Sequence, residues 1–178
     1  MSLSSRPWII VGAGRVGQTL ALLADSLGIE VRTLWNRTEE SSERAFAVTA
    51  VEDHRHGPLP SSIADALNQP SIVWLTVVDT HLPDVARILA GSISHDALVF
   101  MTSGSLSSQI LRDAGIKAPS ASVHPAQAIT DPPRALPGLA RTVWSIEGDI
   151  DALTYARALL NEIHVTPVHL DPEAKTLY

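Results

Sequence analysis

Six residues near the N-terminus, Gly12-Ala13-Gly14-Arg15-Val16-Gly17, constrain this chain more than any other feature, because of what flanks them. Before them runs Trp8-Ile9-Ile10-Val11, short and wholly apolar, as a buried strand should be. After them Val16, Leu20, Leu23, Ala24 and Leu27 recur at helical spacing, and Gly28 is placed to end the helix. A second strand, Ile29 to Trp35, follows and closes on Asn36-Arg37-Thr38. Glycines punctuate many turns, so G-x-G-x-x-G alone says little. Between a strand and a helix it is the fingerprint of a βαβ unit that binds a dinucleotide.

The chemistry behind that fingerprint is local. Gly12 allows a tight turn out of the strand, Gly14 lets the backbone approach a pyrophosphate, and Gly17 lets the helix pack close to the sheet. The first-turn amides of the helix have no intrahelical partners and point at the phosphates. Residues 12–17, with Ala13, Arg15 and Val16 between the glycines, are therefore the expected phosphate loop. NAD-binding chains usually carry an acid at the end of the second strand, where it accepts from the ribose 2′-hydroxyl. Here Asn36, Arg37 and Thr38 stand there, and all three can donate to a 2′-phosphate. The residues favour NADP over NAD; the alternative is a helix cap before Glu39-Glu40.

With 178 residues the chain is one domain of ordinary size, long enough for a substantial core. Its net charge of −6 leaves no general electrostatic footprint for nucleic acid, although Arg15 and Arg37 flank the expected phosphates. Without cysteine there is no disulfide framework, no thiol nucleophile and no cysteine-based zinc site. No metal site is expected: His54-Arg55-His56-Gly57-Pro58 reads as a polar loop with no further ligand at metal spacing. No apolar run reaches the length of a membrane span, and Arg6 is followed by too few apolar residues for a signal peptide. A cytoplasmic location is expected.

Strand and helix signals alternate, which predicts an α/β fold with a doubly wound, mainly parallel sheet and helices on both faces. The spacing predicts helices over 39–47, from Ser61 or Ser62 to Leu67, and over 80–89, 105–114 and 149–162. It predicts strands near 48–51, 71–78, 97–101, 121–123, 142–146 and 164–168, with the Pro-rich segment 131–138 as a loop. Asp171-Pro172-Glu173 has the pattern of an N-cap, a first-turn proline and a first-turn acid. Residues 1–170 are thus expected to form the cofactor domain. Residues 171–178 are expected to begin a helix leading to a helical domain absent from this sequence, with an exposed apolar surface nearby.

Gly12 to Gly17, Asn36-Arg37-Thr38, Thr76-Val77-Val78-Asp79, Thr102-Ser103-Gly104-Ser105, His124-Pro125 and residues 173–178 together resemble the 6-phosphogluconate-dehydrogenase-like Rossmann proteins. The resemblance runs over essentially the whole chain, and within that superfamily it is strongest to a bacterial group resembling NADP-dependent oxidoreductases. It implies hydride transfer to or from a small carbonyl, imine or hydroxy acid, and a second, all-helical domain that forms a homodimer. Two other functions stay open: a non-catalytic NADP-binding sensor or interaction module, and a prephenate-dehydrogenase-like enzyme.

Ligands of open α/β sheets sit outside the carboxyl ends of the strands. Val77, Val78 and Asp79 are expected near the adenine or ribose there, although Asp79 would also serve as a helix cap. Ser103 either contacts substrate, as the resemblance implies, or caps a helix. His124 is the acid–base candidate, since imidazole titrates near neutrality; the alternative is a strand-end histidine bonded to a loop carbonyl. Lys175 is either a general acid or base, again by resemblance, or a solvated first-turn lysine.

Overall fold

The computed structural model describes residues 3–171 and Lys175, except for the side chain of Ser4. The residues around Lys175 that were expected to begin a helix lie outside the described residues.

Eight strands form one sheet in the order β3-β2-β1-β4-β5-β6-β7-β8. They are β1 Trp8–Val11, β2 Val31–Asn36, β3 His54–His56, β4 Ile72–Leu75, β5 Leu98–Met101, β6 Ser120–Pro125, β7 Trp144–Gly148 and β8 Val168–His169. All pairings are parallel except β6 with β7, so the sheet is mainly parallel and doubly wound. The chain moves outward from β1 to β3, then returns to place β4 on the other side of β1. That reversal opens a crevice at the carboxyl ends of β1 and β4, where doubly wound sheets bind ligands.

Side chains alternate across each strand, and the alternation divides the core in two. Trp8, Ile10, Trp74 and Phe100 belong to the face covered by α1 (Arg15–Ser26) and α7 (Ile150–Glu162). Ile9, Val11, Val73 and Val99 belong to the opposite face, under α4 (Leu82–Leu89) and α5 (Gln109–Asp113). Strands buried on both faces must be apolar throughout, which explains the unbroken runs in β1, β4 and β5. Trp8, Trp74, Phe100 and Tyr155 make a chain of ring contacts beneath α7. Trp8 Nε1 donates to the Tyr155 hydroxyl at 2.9 Å, and burial pushes that phenol up to about 12.

Four expectations about secondary structure fail. Residues 48–51 are not a strand: α2 (Glu39–Thr49) takes in Val48 and Thr49, Ala50 caps it with φ +55°, and Val51 is irregular. The strand is instead His54–His56, expected to be a loop. It is an edge strand whose polar side chains find tertiary partners: Arg55 binds Asp53 and Asp65, and His54 stacks on Phe46 at 4.7 Å. The Pro-rich segment is not simply a loop. It folds into the single turn α6 (Pro132–Ala135) and a 3-10 turn at Leu136–Arg141, both against α1. Of the strand expected at 164–168, only Val168 continues into β8.

The remaining helix, α3 (Ala64–Leu67), is shorter than expected, and no serine side chain caps it. Exposed apolar side chains include Val143, Ile150 and Val168. Among the described residues, no helix is long and apolar enough to cross a membrane.

Candidate functional site

A groove of about 520 Å³ runs across the carboxyl ends of β1, β2 and β4. It brings together Gly12, Gly14, Asn36, Arg37, Thr38, Val77 and Val78, seven of the twelve residues expected to bind the cofactor. The glycines differ in what surrounds them. Gly12 has φ +95°, and a Cβ there would lie 2.7 Å from Val77 Cγ1 and 2.9 Å from the Val77 amide nitrogen. A Cβ on Gly17 would fall 2.7 Å from Thr76 Oγ1 and 2.9 Å from the Gly12 carbonyl, so this glycine serves helix–sheet contact. At Gly14 a Cβ would meet only the Gly12 carbonyl, at 3.9 Å. Its outer side is open space.

Gly14 is the N-cap of α1, and the helix makes its first closing bond from Gln18 N to Gly14 O. The amides of Arg15, Val16 and Gly17 precede that bond, so the first turn presents free donors and the positive end of the dipole. Thr76 Oγ1 donates to the Gly12 carbonyl at 2.8 Å and ties the glycine loop to the end of β4. Ala13 is buried, while Arg15 is exposed with no side-chain partner among the described residues.

The end of β2 divides its tasks. Asn36 is only 6% exposed, and its amide donates to the Ser41 carbonyl at 3.0 Å, so it holds the turn. Thr38 caps α2 by accepting from Ser41 N, and its hydroxyl donates to Ser41 Oγ at 2.9 Å. Arg37 is exposed, lines the groove and has no side-chain partner among the described residues. Ser41 Oγ also accepts from Arg44 at 3.0 Å, which leaves its own proton to donate outward.

Sequence reasoning did not place Trp35, Ser41, Thr76, His81, Asp84 and Val85 in the groove, and Asp84 is there an acid paired with Arg87. The signal for these groove residues was their place in the first turns of helices that follow β2 and β4, and at the ends of β2 and β4.

Asp79 does not line this groove; it turns to the loop after β5. Its Oδ2 accepts from Ser103 Oγ at 2.8 Å and Ser105 Oγ at 2.9 Å. Ser103 Oγ in turn accepts from the amides of Ser105 and Leu106, at 3.3 and 2.9 Å. The serine thus closes its own turn and caps no helix, since α5 begins only at Gln109 with Ser108 as its N-cap.

His124 belongs to β6, with Nδ1 2.8 Å from the Thr102 carbonyl. A carbonyl only accepts, so Nδ1 carries the proton and Nε2 is the nitrogen left to a ligand. The ring covers Gly104, where a Cβ would lie 2.8 Å from Nε2. Asp79, Ser103, Ser105 and His124 are therefore gathered around one glycine.

Lys175 is not a solvated lysine; its side chain is fully buried. Nζ donates to the carbonyls of Ser103 and Leu106, at 3.0 and 3.1 Å, and to Ser122 Oγ. Glu147 Oε1 lies 3.5 Å away. That carboxylate, 1% exposed, also accepts from the Ser108 amide and hydroxyl at 2.7 Å each. Burial pulls the ammonium below its ordinary range, and the charge of Glu147 opposes the shift. All three ammonium protons are committed to protein acceptors.

No family model matches the chain, and no curated protein matches it. Solved structures do. A Bacteroides fragilis protein provisionally named an NADP oxidoreductase superposes with a TM-score of 0.79 at 18% identity, over 99% of this chain and 64% of its own. Prephenate dehydrogenase from Aquifex aeolicus, solved with hydroxyphenyl propionate and NAD+, gives 0.79 and 18% over 98% and 63%. An imine reductase from Streptomyces aurantiacus gives 0.68 and 21% over 97% and 58%. At these identities the likeness is one of fold. The chain spans about three fifths of the length of these structures.

Proposed function

We propose that this chain is the cofactor-binding part of an NADP-dependent oxidoreductase of the 6-phosphogluconate-dehydrogenase-like superfamily. The observation that carries the reading is the groove itself. It has open space at Gly14, three first-turn amides without helical partners, and an Arg37 guanidinium without a side-chain partner among the described residues. These residues fit a dinucleotide: the amides of residues 15–17 would hold the pyrophosphate, with Arg15 beside it. Arg37 and Ser41 would take the 2′-phosphate, and Val77, Val78 and Val85 would face the adenine. Bound there, NADPH supplies the hydride that such enzymes transfer.

The chain's own part is to fix the loop after β5 and to offer His124 Nε2 to the substrate, by hydrogen bond or by proton exchange. Ser103 and Lys175 act on that loop from below, as positioning residues. On this reading the other wall of the substrate site, and the homodimer, come from a second helical domain.

Calorimetric titration with NADPH and NADH tests the reading. NADPH should bind at least tenfold more tightly than NADH, and Arg37→Asp should erase the difference. Equal binding of the two would remove the 2′-phosphate assignment, and binding of neither would remove the cofactor. A sensor or interaction module predicts NADPH binding without hydride transfer to any carbonyl or imine.

A further inference from the structure

The side chains around Gly104 have their donors and acceptors already sorted. Ser103 Oγ gives its proton to Asp79 and takes two amide protons, so it has nothing left for a ligand. Ser105 Oγ gives its proton to the same carboxylate oxygen and turns lone pairs outward. Asp79 Oδ1 receives no donor among the described residues, and Asp79 is exposed. His124 has its Nδ1 proton on the Thr102 carbonyl, so in the neutral ring Nε2 keeps its lone pair. What the cluster offers a ligand is three acceptors and one negative charge.

One buried cation offsets this only in part. Lys175 lies beneath the loop with its three protons on Ser103 O, Leu106 O and Ser122 Oγ, and its single charge is shared between two carboxylates, Glu147 first and Asp79 more weakly. No other lysine or arginine among the described residues hydrogen-bonds or pairs with the side chains of Asp79, Ser103, Ser105 or His124. A carboxylate placed here would meet lone pairs and a like charge, and it would give up its hydration without gaining a donor. An ammonium or iminium N–H would meet acceptors arranged for it.

We infer that the face built on Asp79, Ser105 and His124 selects a substrate that presents a nitrogen cation, a protonated imine or its amine product, over a hydroxy acid or keto acid. The inference rests on the oxidoreductase reading and names its substrate class. Reduction of a protonated imine adds a hydride to carbon and moves the C=N π pair onto nitrogen, while NADPH becomes NADP+. No proton is delivered during transfer, which suits a histidine whose free nitrogen accepts. Reduction of a ketone to an alcohol would instead require a proton from that nitrogen.

Matched five-membered rings test this directly. Pyrrolidinium and cyclopentanecarboxylate are titrated into the chain, with and without NADPH, while the His124 ring signals are followed by NMR. Oxidation of NADPH by 2-methyl-1-pyrroline is compared with its oxidation by cyclopentanone. Pyrrolidinium should shift the His124 signals saturably and bind at least tenfold more tightly than the carboxylate. Asp79→Asn should lose at least tenfold in pyrrolidinium affinity and less in NADPH affinity. Ser105→Lys, at an exposed position, should reverse the preference and admit the carboxylate.

Equal or tighter carboxylate binding would overturn the inference, as would an Asp79→Asn variant that weakens NADPH but not the amine. Selective amine binding by a chain that does not bind NADPH would uphold this charge preference and overturn the oxidoreductase reading instead.

Discussion

The carboxyl ends of β1 and β2 and those of β5 and β6 face the same side of one sheet, yet they are satisfied in opposite ways. At β1 and β2 the unused groups among the described residues are donors: first-turn amides, Arg15, Arg37 and the Ser41 hydroxyl. At β5 and β6 the unused groups among the described residues are acceptors: Ser105, His124 Nε2 and Asp79, which reaches over from the segment after β4. The first region also has open space beneath its glycine, whereas the second rests on the buried Lys175–Glu147 pair. A region that leaves donors free is built for an anion, and one that leaves acceptors free is built for a donor. The topology sets where ligands bind, and the residual hydrogen-bonding capacity sets what they are.

The largest effect should come from the support beneath the second region. Lys175→Met leaves Glu147 buried without its countercharge, which costs about 3–5 kcal/mol when one partner of such a pair is removed. The double variant Lys175→Met with Glu147→Gln removes the charge and keeps an oxygen for the Ser108 amide, so more than half of that loss should return. Denaturant unfolding of the two singles and the double measures the coupling. Independent effects that simply add would show that the pair does not support the loop.

The two glycines of the first region should separate folding from binding. Gly12→Ala forces a Cβ into Val77 at a positive φ, and left-handed backbone alone costs about 1–2 kcal/mol. Overlap with the β4 backbone adds about 1–3 kcal/mol more. Gly14 has φ −74° and open space, so Gly14→Ala should fold with nearly unchanged stability. It should still lose at least tenfold in NADPH affinity, because its methyl occupies the side from which a pyrophosphate approaches. Thermal unfolding and titration of both variants decide the matter. A Gly14→Ala chain that binds normally would place the phosphates elsewhere.

How far the sequence foretold these regions follows from how local their determinants are. The β1 turn and α1 were legible because an apolar strand, a glycine spacing and a helical period all lie within a short stretch. Arg37 was legible as a free cation, but the inward turn of Asn36 was not, since it depends on the Ser41 carbonyl. His54–His56 was misread because nothing local distinguishes a polar edge strand from a polar loop; Asp65 and Phe46 satisfy it from other elements. Asp79 was assigned to the nucleotide because it ends the β4 run, yet its partners come from the next crossover. The burial of Lys175 was invisible for the same reason: its countercharge lies on β7, which joins the sheet antiparallel to β6.

Thr38 gives the smallest effect and the finest division between structure and recognition at the end of β2. Its hydroxyl accepts from Ser41 N and donates to Ser41 Oγ, so it is spent on the cap. Thr38→Ala should therefore cost about 1 kcal/mol of stability, the ordinary loss of an N-cap oxygen, and Thr38→Ser should restore it. If Arg37 and Ser41 carry the 2′-phosphate, the alanine variant should lose less than about fivefold in NADPH affinity, roughly 1 kcal/mol. The NADPH-over-NADH ratio should then move far less than with Arg37→Asp. A Thr38→Ala chain of normal stability that no longer distinguishes the two nucleotides would reverse the assignment, making the threonine hydroxyl the phosphate ligand and the cap incidental.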